Sequence, residues 1–107
     1  MPSFFKKIFI SYTTRSLVIN RKTLLKVNSI FSKYGNVYID LLHNDNLTDP
    51  QGEVISQLNK ADLLIVIKTK DIEKSEWVKF EIDKSKSRKI EIKTIELDDI
   101  LNENFTL

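Results

Sequence analysis

The chain has 107 residues, 41% of them hydrophobic and 30% charged, with a net charge of +2, which fits one domain spanning residues 1–107, with a real core and a polar surface. No run of 18 apolar residues is present, so no membrane span is expected, and the opening MPSFFKK lacks the long apolar stretch of a secretion signal. Cysteine is absent, which excludes disulfides, thiolate nucleophiles and Cys-based zinc sites and points to a reducing, cytoplasmic setting.

Residues 7–12 (KIFISY) form a short apolar run that reads as a strand buried on both faces. A polar loop, 13–16, follows. From about 20 to 34, Leu24, Val27, Phe31 and Tyr34 recur at spacings of three and four, which predicts an amphipathic helix with Asn20 as N-cap and Gly35 stopping it. Residues 36–42 (NVYIDLL) read as a second strand, and 43–48 as a loop of turn formers. Asp49 and Pro50 then open a second helix, Asp at the cap and Pro at the first helical position, with Val54, Ile55 and Leu58 facing inward.

Residues 62–68 (DLLIVIK) give the strongest strand. After a loop at 69–74, a third helix begins at Ser75. Residues 90–97 alternate at first and then shift phase at Thr94 and Ile95, which predicts an edge strand with one wetter side. The last ten or so residues read as a tail or a short helix near 99–102.

Strand and helix thus alternate. The expectation is an α/β fold: an open, flavodoxin-like parallel sheet of about four strands, with helices on both faces and right-handed crossovers. The most continuously apolar strands, the first and third, belong at the centre, giving the order 2-1-3-4. Ligands of such sheets bind beyond the carboxyl ends of the strands, where the chain order switches sides. Here that place lies between the loop after strand one and the loop after strand three.

One carboxylate is misplaced. On the third helix, at about 100° per residue, Trp77, Val78, Ile82 and Ser85 share the inward stripe, and Glu81 falls among them. A carboxylate there is costly unless something pairs with it or uses it. It reads either as an ion-paired structural residue or as a catalytic one. Its position within about two turns of the predicted ligand site favours the second.

Other chemistries are thinly provided for. The single His43 rules out a His-rich metal site and leaves a Ser-His-Asp triad hanging on one loop residue, without a G-x-S-x-G. Two glycines, Gly35 and Gly52, are too few for Gly-rich phosphate loops. The basic run 84–89 ends the helix that carries Glu81 and complements its dipole, and no aromatic platform accompanies it, so nucleic acid is not an expected partner.

Four segments in order resemble the boxes of Toll/interleukin-receptor (TIR) domains. They are FISY at 9–12, VYID at 37–40, DPQG at 49–52 and SEWVKFE at 75–81, the last similar to that family's S-x-W-x-x-x-E helix. Together they cover roughly residues 7–97. Two positions depart from the family pattern: residues 13–16 (TTRS) stand where an acidic residue is common, and Val78 where a Cys is common. The family's fifth strand and last helix have little sequence left here, so the expectation is a minimal four-stranded version.

The resemblance implies one of two activities. Many family members cleave NAD between nicotinamide and ribose, releasing ADP-ribose or a cyclised or variant signal, often in anti-phage defence. Their essential Glu lies where Glu81 stands. Other members only self-associate or bind a partner protein and carry signals by contact. A third reading is a nucleoside deoxyribosyltransferase-like enzyme, which shares the topology and a Glu nucleophile after strand three. The small-residue segment preceding that Glu is missing here.

Glycoside hydrolysis ordinarily takes two carboxylates. Nicotinamide leaves NAD as a neutral pyridine, so no acid is required, and one carboxylate can both stabilise the charge growing on the ribose and hold its hydroxyls. NAD is then substrate, with no cofactor or metal. Trp77 either fills the core or stacks on a ligand ring. Ser11, Thr13 and Arg15 either hold the diphosphate, with Arg15 as counter-charge, or make turn contacts. Asp40 is either a strand-end cap or a ligand group, and Tyr12 and Lys68 are candidates by position.

Overall fold

Five consecutive apolar residues, Leu63 to Ile67, are buried. Each contributes roughly 1.5–3 kcal/mol by leaving water, which places their strand at the centre. The computed structural model describes residues 5–13, 19–70 and 72–107. Its elements are β1 (Phe5–Ser11), α1 (Arg21–Phe31), β2 (Gly35–Tyr38), α2 (Asp40–His43), α3 (Pro50–Lys60), β3 (Leu63–Lys68), a 3₁₀ turn (Ile72–Lys74), α4 (Glu76–Ser87), β4 (Glu91–Glu96) and α5 (Leu97–Leu101). The four strands are parallel, in the order β2-β1-β3-β4. This is the open, flavodoxin-like α/β sheet expected, with β1 and β3 inside. No helix among the described residues is long and apolar enough to cross a membrane.

Alternation along the strands sorts the core into two layers. Ile8, Ile10, Leu63, Ile65 and Ile67 pack with Leu24, Val27 and Phe31 of α1 and with Leu97 and Ile100 of α5. Phe9, Leu64 and Val66 pack on the opposite face with Val54 and Leu58 of α3 and Val78 of α4. Ser11 has the parity of Phe9, so its side chain belongs to the α3–α4 layer. The phase shift in β4 has the same origin: Ile92 packs into one layer and Ile95 into the other, while the pairing with β3 runs unbroken from Leu63↔Glu91 to Lys68↔Glu96.

Two helix starts are capped as their residues require. Asn20 Oδ1 accepts the Thr23 N–H at 2.9 Å, and Asp49 Oδ1 accepts the Gly52 N–H at 3.0 Å, with Pro50 beside it.

The structure corrects three element boundaries. α1 ends at Phe31 with Ser32 as C-cap, and Gly35 opens β2 instead of stopping the helix. No glycine has positive φ. Gly35 is needed because its register partner is Phe5, whose carbonyl oxygen would lie 2.1 Å from a Cβ there. The second strand stops at Tyr38, and residues 40–43 coil into α2, with half of Leu41 exposed. The apolar run across 37–42 therefore continued a strand pattern through a turn. The short C-terminal helix begins earlier than expected, at Leu97.

Candidate active site

Helix α4 is phased by its cap. Ser75 Oγ accepts the Val78 N–H at 3.2 Å, and the turns that follow bring Val78, Glu81 and Ser85 inward. Trp77 and Ile82 flank them, half-buried. Glu81 is only 3% exposed. Ser85 closes part of its surroundings by donating its hydroxyl back to the Glu81 carbonyl oxygen at 2.8 Å.

Across the layer stands Ser11, the last residue of β1, 1% exposed. Its hydroxyl donates to Glu81 Oε1 at 2.8 Å. Burial raises the Glu81 carboxyl from its usual value near 4.5 to about 8; the Ser11 hydrogen bond opposes that rise and the Asp40 charge adds to it. Glu81 is thus a buried acid poised to titrate near neutrality, and no lysine or arginine among the described residues is found paired with it.

Glu81 opens on a narrow cleft of about 50 Å³, lined also by Phe9, Ile10, Tyr12, Asp40 and Trp77. A second depression of about 260 Å³ shares Asp40 and Trp77 and continues past Pro50, Gln51 and Val54. The two make one groove beyond the carboxyl ends of β1 and β2. Among the described residues lining it none is basic.

Tyr12 borders the groove. Burial pushes its phenol up to about 12, against a backbone hydrogen bond with Leu41 and with the Asp40 and Glu81 charges adding. Trp77 packs against the α3–α4 core layer, meets the Phe80 ring at a tilt with centroids 5.2 Å apart and walls both depressions. It therefore takes part in both the core and the groove.

Asp40 enters on the first turn of α2, where Asn44 Nδ2 donates to its Oδ1 at 2.8 Å. Tyr38 is 4% exposed and its hydroxyl makes no hydrogen bond of full geometry, although Asp40 lies close enough to act on it. Burial and the Asp40 charge together hold that phenol well above its usual value.

Of the residues singled out in sequence, Tyr12, Asp40, Trp77 and Glu81 meet in one groove, with Ser11 directly behind the Glu81 carboxyl. Ser11 spends its hydroxyl on that carboxyl. Thr13 is buried, 1% exposed, and is not part of the lining. Lys68 is exposed at the end of β3, and Arg15 lies outside the described residues. His43 ends α2, and its Nδ1 is taken by the Ile39 N–H at 2.9 Å, not by a carboxylate.

Sequence reasoning did not name Phe9 or Ile10 as lining, nor Leu41 and His43 as parts of the site's frame. Phe9 and Ser11 were readable from strand parity, since both lie on the α4 side. Nothing in the sequence signalled the α2 turn. Among the described residues no group of three or more His, Cys, Asp or Glu could hold a metal ion. No family model matches the chain, and no curated protein is significantly similar to it.

Proposed function

We propose that the protein is a TIR-like NAD glycohydrolase or cyclase with Glu81 as its essential carboxylate. The observation that carries this reading is Glu81 itself: buried, paired with no cation among the described residues, held by one serine hydroxyl and opening on a groove with an indole wall. A structural carboxylate at that depth would be expected to carry an ion pair.

The groove suits the nicotinamide end of NAD. Its charged groups among the described residues, Asp40 and Glu81, are acidic, and Trp77 presents an aromatic surface to a flat, cationic ring. A positive ring entering beside Glu81 favours the ionised carboxylate, offsetting the burial that disfavours it. In the reaction the bond between the ribose C1′ and the pyridinium nitrogen breaks, and its electron pair neutralises the ring. The positive charge left on the ribose faces the Glu81 carboxylate. Water then adds to C1′ and releases a proton, or a nucleophile of the same dinucleotide adds and gives a cyclic product.

The test is nicotinamide release from NAD by the purified protein, beside Glu81→Ala and Glu81→Gln. Release by the wild type that falls at least a hundredfold in both variants is expected for an essential carboxylate, roughly 3 kcal/mol of transition-state stabilisation. Equal release by all three, or none by the wild type at high protein concentration with or without crowding, sinks the reading.

Leu47 is 98% exposed and Leu41 51% exposed, both on the 40–49 segment that begins with the groove residue Asp40. They favour a second reading, a non-catalytic module that self-associates or binds a partner protein through this rim. It predicts association that survives Glu81→Ala and is lost in Leu47→Asp, read by sedimentation.

A further inference from the structure

Helix α2 is a single turn of four residues, too short to persist by its own hydrogen bonds. It nevertheless supplies one wall of the groove, since Asp40 lines both depressions and the Leu41 backbone lies near enough to the Tyr12 phenol to lower its titration. Its N-cap residue, Ile39, has no capping side chain of its own. The turn is closed from its other end. His43 N–H donates to the Ile39 carbonyl oxygen at 2.9 Å, and the Ile39 N–H donates to His43 Nδ1, also at 2.9 Å. Residues 39 and 43 are thus tied twice, once through the imidazole.

We propose that His43 is a positioning residue of the Glu81 groove: its Nδ1 acts as a latch that closes the α2 turn and so sets Asp40 and Tyr12 around the carboxylate. The latch rests on the reading of the groove as a ligand site only for its effect on turnover, not for its existence. A ring nitrogen accepts a hydrogen bond only while it is unprotonated, so His43 must be neutral with its proton on Nε2. Its surroundings agree. Burial of part of the ring and the positive Lys7 of β1 both lower its titration. Lys7 itself reaches Gln57 of α3, and the Tyr38 ring of β2 lies 6.1 Å away. Asp40 is the nearest acid on the same turn and is occupied by Asn44. His43 is exposed on its outer side, so protons reach it from solvent. Protonation removes the acceptor, and the turn loses its second tie.

The experiment follows the free protein by NMR from about pH 7.5 downward, with ¹⁵N-labelled imidazole and backbone amides. Two variants separate the causes. His43→Asn keeps an acceptor in the place of Nδ1 but does not titrate; His43→Phe keeps a ring and loses the acceptor. The expected result is an Nε2–H tautomer at neutral pH, with the Ile39, Asp40 and Leu41 amides shifting together as His43 protonates. That transition disappears in His43→Asn, which also separates it from titration of Asp40. His43→Phe shows the displaced shifts at every pH and, where NAD is cleaved, lowers kcat/KM about tenfold, the size of one lost hydrogen bond. An Nδ1–H tautomer, amides that ignore the His43 titration, or an unchanged transition in His43→Asn overturns the proposal. None of these readings needs turnover, so a protein that leaves NAD intact still decides the latch.

Discussion

Ser11 and Glu81, 70 positions apart in the chain, meet through one hydrogen bond of 2.8 Å, and both are almost completely buried. The end of the first strand therefore holds the acid of the fourth helix. Ser11 is the only hydroxyl donor among the described side chains found on that carboxyl.

Removing that donor is expected to shift the site's titration. The Ser11 bond favours the ionised form of Glu81, so Ser11→Ala raises the carboxyl further above about 8, by about one pH unit for one hydrogen bond. If the carboxylate is the working form, kcat/KM for NAD rises with pH through the Glu81 titration, and in Ser11→Ala that limb moves upward. Activity near neutrality then falls about tenfold while the high-pH plateau is kept. ¹³C shifts of the labelled Glu81 carboxyl read the same displacement without substrate. An unmoved titration removes Ser11 from this role.

Stability carries the same signature with a defined sign. The folded carboxyl titrates near 8 and the unfolded one near 4.5. Between those values the native state holds a proton that the unfolded state has released, so stability falls as pH rises. The ceiling of the effect is on the order of 5 kcal/mol across that window. Glu81→Gln has no such titration. Urea denaturation at about pH 5 and about pH 9 should show the variant gaining on the wild type at the higher pH. A difference that stays constant contradicts the burial argument.

Trp77 joins core and groove, and its two roles separate by size. Trp77→Phe keeps much of the packing against the α3–α4 layer, at a cost of about 1.5 kcal/mol or less, while reducing the aromatic wall shared by both depressions. The expected outcome is a several-fold rise in KM for NAD with little change in kcat. A loss confined to thermal stability, with KM unchanged, makes the indole a core residue alone.

Gly35 is the backbone counterpart. An alanine Cβ would lie 2.1 Å from the Phe5 carbonyl oxygen and 3.0 Å from its carbon, both main-chain atoms that cannot swing away. Gly35→Ala should cost about 1–3 kcal/mol, which for a domain of this size lowers Tm by several degrees per kcal/mol. Gly52→Ala meets only the Asp49 carboxylate. It should cost no more than the cap, about 1 kcal/mol. Thermal melts that rank the two the other way contradict the close approach of β2 to β1.

Much of this was legible in sequence because local and global signals agreed. The run 63–67 is apolar on both parities and can only be central. Asn20 and the Asp49-Pro50 pair name their own helix starts, and Glu81 stands out because the 3.6-residue period has no polar slot for it. The α2 turn was not legible: four residues show no period, and Leu41 and Leu42 extend a strand pattern that the backbone abandons after Tyr38. Gly35 looked like a helix stop because its reason lies 30 positions away, at Phe5. The Ser11 contact needed two facts at once, strand parity and the register Ser11↔Val66 that sets β1 beside β3.

The groove has unequal sides. Ser11 is bound into the central ladder and Glu81 rides on a helix of twelve residues, whereas Asp40 sits on a lone coil of four. Adaptation to a bulkier or differently shaped guest is therefore easiest at 40–43, where backbone can be exchanged without disturbing the setting of the acid.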